Sequence, residues 1–214
     1  MNGMRKSWRY ITCIAVILIG IVFSLDIENL DKHRSLNETY SFNAAGFATR
    51  FWNDSLPLSI RSAQEAGDFL KLLNDNPDMA FTSRGHKLGI SNTYYFMLKG
   101  RGTVKKVEDE YLVAVIDDNN DIRIATDFIF GNAVRDGSGK ININDFFNMT
   151  DFNEVSVEIN RLVKEKVVKG LGNTARPGME IEFAGALELN KENADLPVIR
   201  IIPVSIILSG GNSK

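Results

Sequence analysis

Few residues in this chain are of types that do chemistry, and most of those fail a test of spacing. Only two histidines occur, His33 and His86, far apart in the sequence, which leaves little material for a histidine zinc site or a Ser-His-Asp triad. His86, in Ser83-Arg84-Gly85-His86-Lys87, reads as a surface-loop histidine. Gly137-Ser138-Gly139-Lys140 looks like part of a phosphate loop, but the leading glycine of G-x-x-x-x-G-K-[ST] would fall on Val134 and the closing hydroxyl on Ile141. The run Asp117 to Asp121 looks like a calcium loop, yet Ile122 stands where the turn glycine is needed and Phe128 where the bidentate Glu is needed. No metal or cofactor is expected from these patterns.

What remains points to binding rather than turnover. Arg135 and Asp136 form the leading candidate, because a planar guanidinium binds a carboxylate, a phosphate or sugar hydroxyls in fixed geometry while the neighbouring acid orients it. The same pair could instead tie the Gly137-Ser-Gly turn to the helix that follows. Phe51 and Trp52 could present an aromatic face to a sugar ring or anchor a core. Lys99 and Arg101 bracket Gly100 on a strand and so share one face, with charge available to an anionic partner. The alternative of a cell-envelope hydrolase would need two acids such as Asp127 and Asp136 converging in one cleft. A third reading, a structural envelope protein, needs an apolar surface patch without a polar pocket.

The elements that must position these residues are legible from periodicity. Helical spacing of Ala63, Ala66, Phe69, Leu70 and Leu73 predicts a helix over 59–73, stopped by Asn74 to Pro77. A period of two then predicts strands over 94–98, 103–107, 111–116, 122–125 and 128–130, with Gly100 and Gly102 at bends. Asp145 to Asn148 reads as a short helical entry with Phe146 and Phe147 as core anchors. Asp151 with Glu154 reads as a capping-box variant opening a helix over 151–169. Strands return over 179–183, 186–189 and 198–208, the last interrupted by Pro203. The pattern implies a small curled sheet or barrel, or an open antiparallel meander. A helix-then-strand echo between 40–130 and 131–208 raises an internal duplication whose halves share or abut their cores.

The chain has 214 residues, 44% of them hydrophobic and 24% charged, which excludes disorder, collagen and disulfide scaffolds. Arg5, Lys6 and Arg9 precede the uncharged run Tyr10 to Leu25, and Asp26 and Glu28 follow it. That order predicts a membrane-anchoring segment over 1–25, or a cleaved signal peptide with Val22 and Ser24 before the cut, and an extracytoplasmic body. At about 1.5 Å per residue the run spans roughly 24 Å of a hydrocarbon core of about 30 Å. A polar stalk over 26–39, a body over 40–208 and a tail over 209–214 complete the expected organisation. Residues after Leu25 hold 22 basic against 27 acidic side chains, a balance that argues against nucleic acid as a partner, since phosphate binding is driven by clustered Lys and Arg. The single cysteine, Cys13, lies inside the apolar run, so the body has neither an internal disulfide nor a thiol nucleophile.

Several strings carry a resemblance. Gly131-Asn-Ala-Val-Arg135-Asp136-Gly-Ser-Gly-Lys-Ile-Asn-Ile-Asn-Asp145-Phe146-Phe-Asn148, Phe96-Met-Leu-Lys99-Gly100-Arg-Gly102, Phe183-Ala-Gly185, Ile201-Ile-Pro203-Val204 and the early Trp52 together resemble a bacterial family of predicted periplasmic lipoproteins of unknown function. The resemblance implies an OB-type β-barrel with helices, so the body read from the residues is an α+β, β-rich fold, an OB-like small barrel or curled antiparallel sheets with two main helices, behind the N-terminal membrane helix that the charge order predicts. It also implies an accessory role near ribose-type sugar ABC transporters, with transporter components or a small sugar as partner and no established reaction. The sequence departs from the family pattern where no cysteine ends the apolar run, so a protein anchor in place of a lipid would hold the body at the same membrane face.

Overall fold

The computed structural model describes residues 42–117, 120–193 and 198–210. All described residues but Phe42 belong to one compact unit, Asn43–Lys214. The expected anchor, the stalk with His33, and Cys13 lie outside the described residues. Among the described residues no helix is long and apolar enough to cross a membrane.

Five strands close on themselves. Strands β2 (Thr93–Val107), β3 (Tyr111–Ile116), β4 (Asn120–Ala125), β6 (Ile199–Ser209) and β5 (Glu180–Asn190) follow one another in space, and β5 pairs back onto β2. All pairings around this ring are antiparallel except β4 with β6. The expected break at Gly100 and Gly102 is absent. β2 runs through both glycines because it serves two neighbours, pairing with β5 over Thr93 to Thr103 and with β3 over Gly102 to Val107. A Cβ on Gly102 would lie 2.3 Å from the Val115 carbonyl oxygen, so the curl at this corner needs glycine. Pro203 likewise does not interrupt β6. It sits opposite the register shift at Ala184/Gly185, where a missing donor leaves the ladder intact.

Alternation along each strand fills the barrel. Phe96 and Leu98, Leu112 and Ala114, Ile122 and Ile124, Leu187 and Leu189, and Ile199 and Ile201 point inward and are buried. The strands come from both sides of residue 130, so 40–130 and 131–208 share one barrel rather than closing two.

The helices depart more from expectation. The helix predicted over 59–73 is two: α1 (Ala44–Arg50) leads through a wide turn at Phe51–Ser55 into α2 (Leu56–Arg61), and α3 (Ala66–Asp75) starts afresh. Between them, β1 (Gln64–Glu65) pairs parallel with Leu98 and Lys99. Pairing to the barrel overrides a helical spacing that Ala63 and Ala66 would otherwise continue. The predicted stop at Asn74 to Pro77 opens another helix, α4 (Pro77–Arg84), with Asn76 accepting from the Met79 N–H and Pro77 in the first turn. Phe69 and Phe81 from α3 and α4 join Phe96, with ring centroids 4.8 and 6.0 Å from it.

The segment 128–130 is not a strand. Phe128 takes a positive φ of 51°, and the chain turns there into α5 (Ala133–Gly137). α5 lies across β2 and β5 on the outside of the barrel, and α6 (Met149–Val163) packs on α5 and α1. Asn148, not Asp151, caps α6, accepting from the Asp151 N–H at 2.9 Å. The expected entry shrinks to a single turn over Ile143–Asp145. Phe147 is exposed rather than a core anchor, while Phe146 packs tilted against Phe47 and edge-on against Phe152, with ring centroids 5.2 and 5.3 Å apart. After a wide turn over Lys164–Val168, the short α7 (Leu171–Thr174) leads back to β5. A second apolar layer thus forms outside the barrel from Ala48, Phe51, Val134, Phe152, Val155 and Ile159.

Candidate functional site

Arg135 is the largest fully buried side chain among the described residues, 1% exposed. Its Nε and Nη2 donate to the two oxygens of Asp136 at 2.7 and 3.0 Å. Its Nη1 donates to the Phe152 carbonyl at 3.0 Å and to Asn153 Oδ1 at 3.4 Å, and its guanidinium lies 3.5 Å from the Phe152 ring centroid. The pair is a bolt between α5 and the start of α6. As a ligand-binding candidate Arg135 is therefore corrected: with its donors engaged and no surface, it has nothing to offer a ligand. Asp136 is engaged by the same bidentate contact. Asp127 is exposed and accepts from the Phe128 N–H, and it lines none of the depressions described below, so no acid pair converges there.

Lys99 and Arg101 do share one face, in a depression with Glu65, Gly67, Asp117 and Glu182. Each already has a carboxylate: Lys99 Nζ lies 3.7 Å from Glu65, and Arg101 meets Glu182 at 3.0 Å. Phe51 is buried, which removes it from any sugar platform. Trp52 is half-buried in the wide turn after α1, with Lys166 Nζ 5.6 Å from its ring. The structure does not bring Trp52, Lys99 and Arg135 to one place.

A different set of residues comes together around the loop that leaves β4. Phe130 is 63% exposed and borders two depressions that both include Gly131. The smaller, about 250 Å³, is lined by Glu188, Arg200 and Ile202. The larger, about 680 Å³, is lined by Asn132 and, on α6, by exposed Asn153 and Val157 and buried Ser156 and Asn160. Arg200 lies 5.5 Å from the Phe130 ring and 5.7 Å from the Tyr111 ring, and its Nη2 donates to the Phe128 carbonyl at 2.9 Å. That bond holds the loop in the strained turn at Phe128.

Two buried polar atoms in this furrow, Arg200 Nε and Ser156 Oγ, have no hydrogen-bond partner among the described residues. Partial burial, and then Asp136, push the Glu188 carboxyl above its ordinary pKa, while Arg200 opposes them. Tyr95, opposite Glu188 across the β2–β5 ladder, is pushed up to about 12 by partial burial and then by Glu188 and Asp136. Arrays of this kind bind polar ligands: a ring face for C–H groups, a guanidinium and a carboxyl for hydroxyls, and amides that both donate and accept. Among the described residues no cluster of His, Cys, Asp and Glu could hold a metal ion.

Sequence reasoning missed this furrow. Arg200 and Glu188 were legible as outward positions on strands, because their neighbours Ile199, Ile201, Leu187 and Leu189 alternate inward. Their juxtaposition with Phe130 was not, since alternation over 128–130 predicts a strand where the chain turns.

A model of the predicted periplasmic lipoprotein family of unknown function known as DUF2291 matches residues 13–207. The chain belongs to this family. Membership supports an extracytoplasmic, membrane-tethered location. No curated protein matches the chain. A crystal structure of an OB-fold protein from Thermotoga maritima MSB8 is similar to this one, with a TM-score of 0.72 and 24% identity over 79% of this chain and all of that one. At that identity the likeness concerns the fold: the DUF2291 body is an α+β protein built on an OB-type closed barrel with added helices.

Proposed function

We propose that this DUF2291 protein is a non-enzymatic binding module, held at the extracytoplasmic membrane face by its N-terminal segment, that takes a polyhydroxy small molecule of the sugar class in the furrow beside Phe130. The observation that carries this reading is the exposed Phe130 ring, which borders both depressions with the Arg200 guanidinium 5.5 Å away. A sugar stacks its C–H face on such a ring and pairs its hydroxyls with polar groups lining the depressions, among them Glu188, Arg200 and Asn153. Turnover is no part of the reading, because the best-placed acid, Asp136, is held through both oxygens by Arg135. Service to a sugar ABC transporter, which the family resemblance implies, is the role such a module would fill.

Calorimetry of the full-length protein in detergent, against ribose and a series of aldopentoses and aldohexoses, tests the ligand. Saturable binding to at least one sugar is expected, with loss in Phe130→Ala and weakening in Arg200→Gln while circular dichroism stays unchanged. No binding to any sugar in the series, or binding that Phe130→Ala leaves intact, overturns the assignment. Co-purification from native membranes tests the accessory role separately, since transporter subunits should accompany the full chain above a tag-only control.

A further inference from the structure

A separate depression of about 330 Å³ opens where the turn after α5 meets the loop after α4, lined by His86, Lys87, Asp136, Gly139, Lys140 and Asn142 among others. Its geometry is built rather than incidental. The backbone of His86 exchanges two hydrogen bonds with Tyr95, at 2.8 and 2.7 Å, which clamps the loop onto β2. The imidazole lies against Gly139. A Cβ there would come 2.5 Å from its Cε1 and 2.7 Å from its Nε2, and Gly139 has a φ of +62°. Only glycine allows that turn to pass beneath the ring and deliver Lys140 beside it.

The charges in this wall are uncompensated. Among the described residues neither Lys87 nor Lys140 has a carboxylate within ion-pair distance. Lys87 Nζ has only the Tyr94 ring, at 5.4 Å. Asp136, the one acid in the wall, is bound through both oxygens by Arg135. Two ammonium groups and an imidazole therefore line one small polar hollow with no anion of their own. Consistent with this, partial burial and then Lys140 lower the His86 pKa.

We propose that this hollow binds a phosphate-class oxyanion, with Lys87 and Lys140 neutralising its charge and an imidazole N–H of His86 donating to it. The Gly137-Ser138-Gly139-Lys140 string fails as a phosphate loop because it lacks the leading glycine and the closing hydroxyl. Here the turn acts differently, aiming one lysine as a point charge at an anion held by side chains. The site stands independently of the sugar furrow.

The test is a titration of the full-length protein in detergent with inorganic phosphate at constant ionic strength, following the His86 ring by NMR. His86→Gln assigns the signal against that of His33. A saturable shift is expected, with a rise in the His86 pKa, because a bound anion favours the imidazolium. Lys87→Gln and Lys140→Gln should each weaken binding about tenfold with the fold unchanged. Competition by vesicles containing anionic phospholipid would identify a lipid headgroup as the source, and lack of competition a soluble phosphate ester. A linear, unsaturable shift, an equal shift with chloride, or a shift unchanged in Lys140→Gln overturns the proposal.

Discussion

Two arginine–carboxylate pairs of similar geometry sit in opposite environments. Arg135 meets Asp136 at 2.7 Å with side chains 1% and 8% exposed, and Arg101 meets Glu182 at 3.0 Å with side chains 82% and 52% exposed. Residue type and distance are nearly the same, so the difference in role is one of desolvation. In the first pair a low-dielectric wall, the Phe152 ring and a carbonyl partner make the pair part of the packing between α5 and α6. In the second, water screens the charges and holding two long side chains together offsets most of the gain. A charge pair read from a sequence is a candidate site in either case. Only its burial decides whether it holds the protein together or stays available to a partner.

The largest effect should come from breaking the buried pair. Arg135→Met leaves the Asp136 carboxylate without its partner and is expected to cost about 3–5 kcal/mol of unfolding free energy. Urea denaturation measures it, and a loss below about 1 kcal/mol would remove the pair from the forces joining α5 to α6. Replacing both partners with apolar residues should recover much of the loss, which a double-mutant cycle reads directly.

A smaller loss, about 1–3 kcal/mol, is expected for Gly137→Ala, since the new Cβ would lie 2.9 Å from the Phe96 carbonyl oxygen and lift α5 from β2. Thermal unfolding checks this, and wild-type stability would mean that α5 is not seated closely.

Alkaline pH sharpens the comparison on the outer barrel face. The folded pKa of Tyr95 is raised to about 12, against about 10 for an unfolded tyrosine. Between those values the native state holds the proton that the unfolded chain gives up, so this contribution to stability is present below 10 and declines as pH rises towards 12. Tyr95→Phe should flatten that part of the stability curve, and an unchanged slope would assign it to other groups.

The smallest effect belongs to the exposed pair: Arg101→Ala should change stability by less than about 0.5 kcal/mol and make little difference in high salt. A larger, salt-resistant loss would erase the contrast between the two pairs.

Much of the fold was legible because it rests on period-two burial. The inward phase of Phe96 and Leu98, of Leu112 and Ala114, and of Ile122 and Ile124 follows from alternation, as does the long amphipathic face of α6 around Val155 and Ile159. Illegible were the segments whose conformation is set by distant partners. Gln64 and Glu65 become a strand only because Leu98 and Lys99 offer hydrogen bonds. Phe128 turns left-handed in a segment that Arg200, 72 residues away, helps to hold. The candidate site followed the same rule. The leading sequence candidates were adjacent in the chain and proved structural, while Phe130, Glu188, Arg200 and Ser156 converge from separate elements.

By itself the sequence determined the family, the β-rich body and the residues of the barrel interior, because these depend on ordered local strings and on which faces are apolar. Tertiary structure alone decided that the barrel closes, that Arg135 is out of reach of a ligand, and that Phe130 stands beside Arg200 and Glu188. Those outcomes depend on desolvation and on contacts between residues far apart in the chain, which no local pattern encodes.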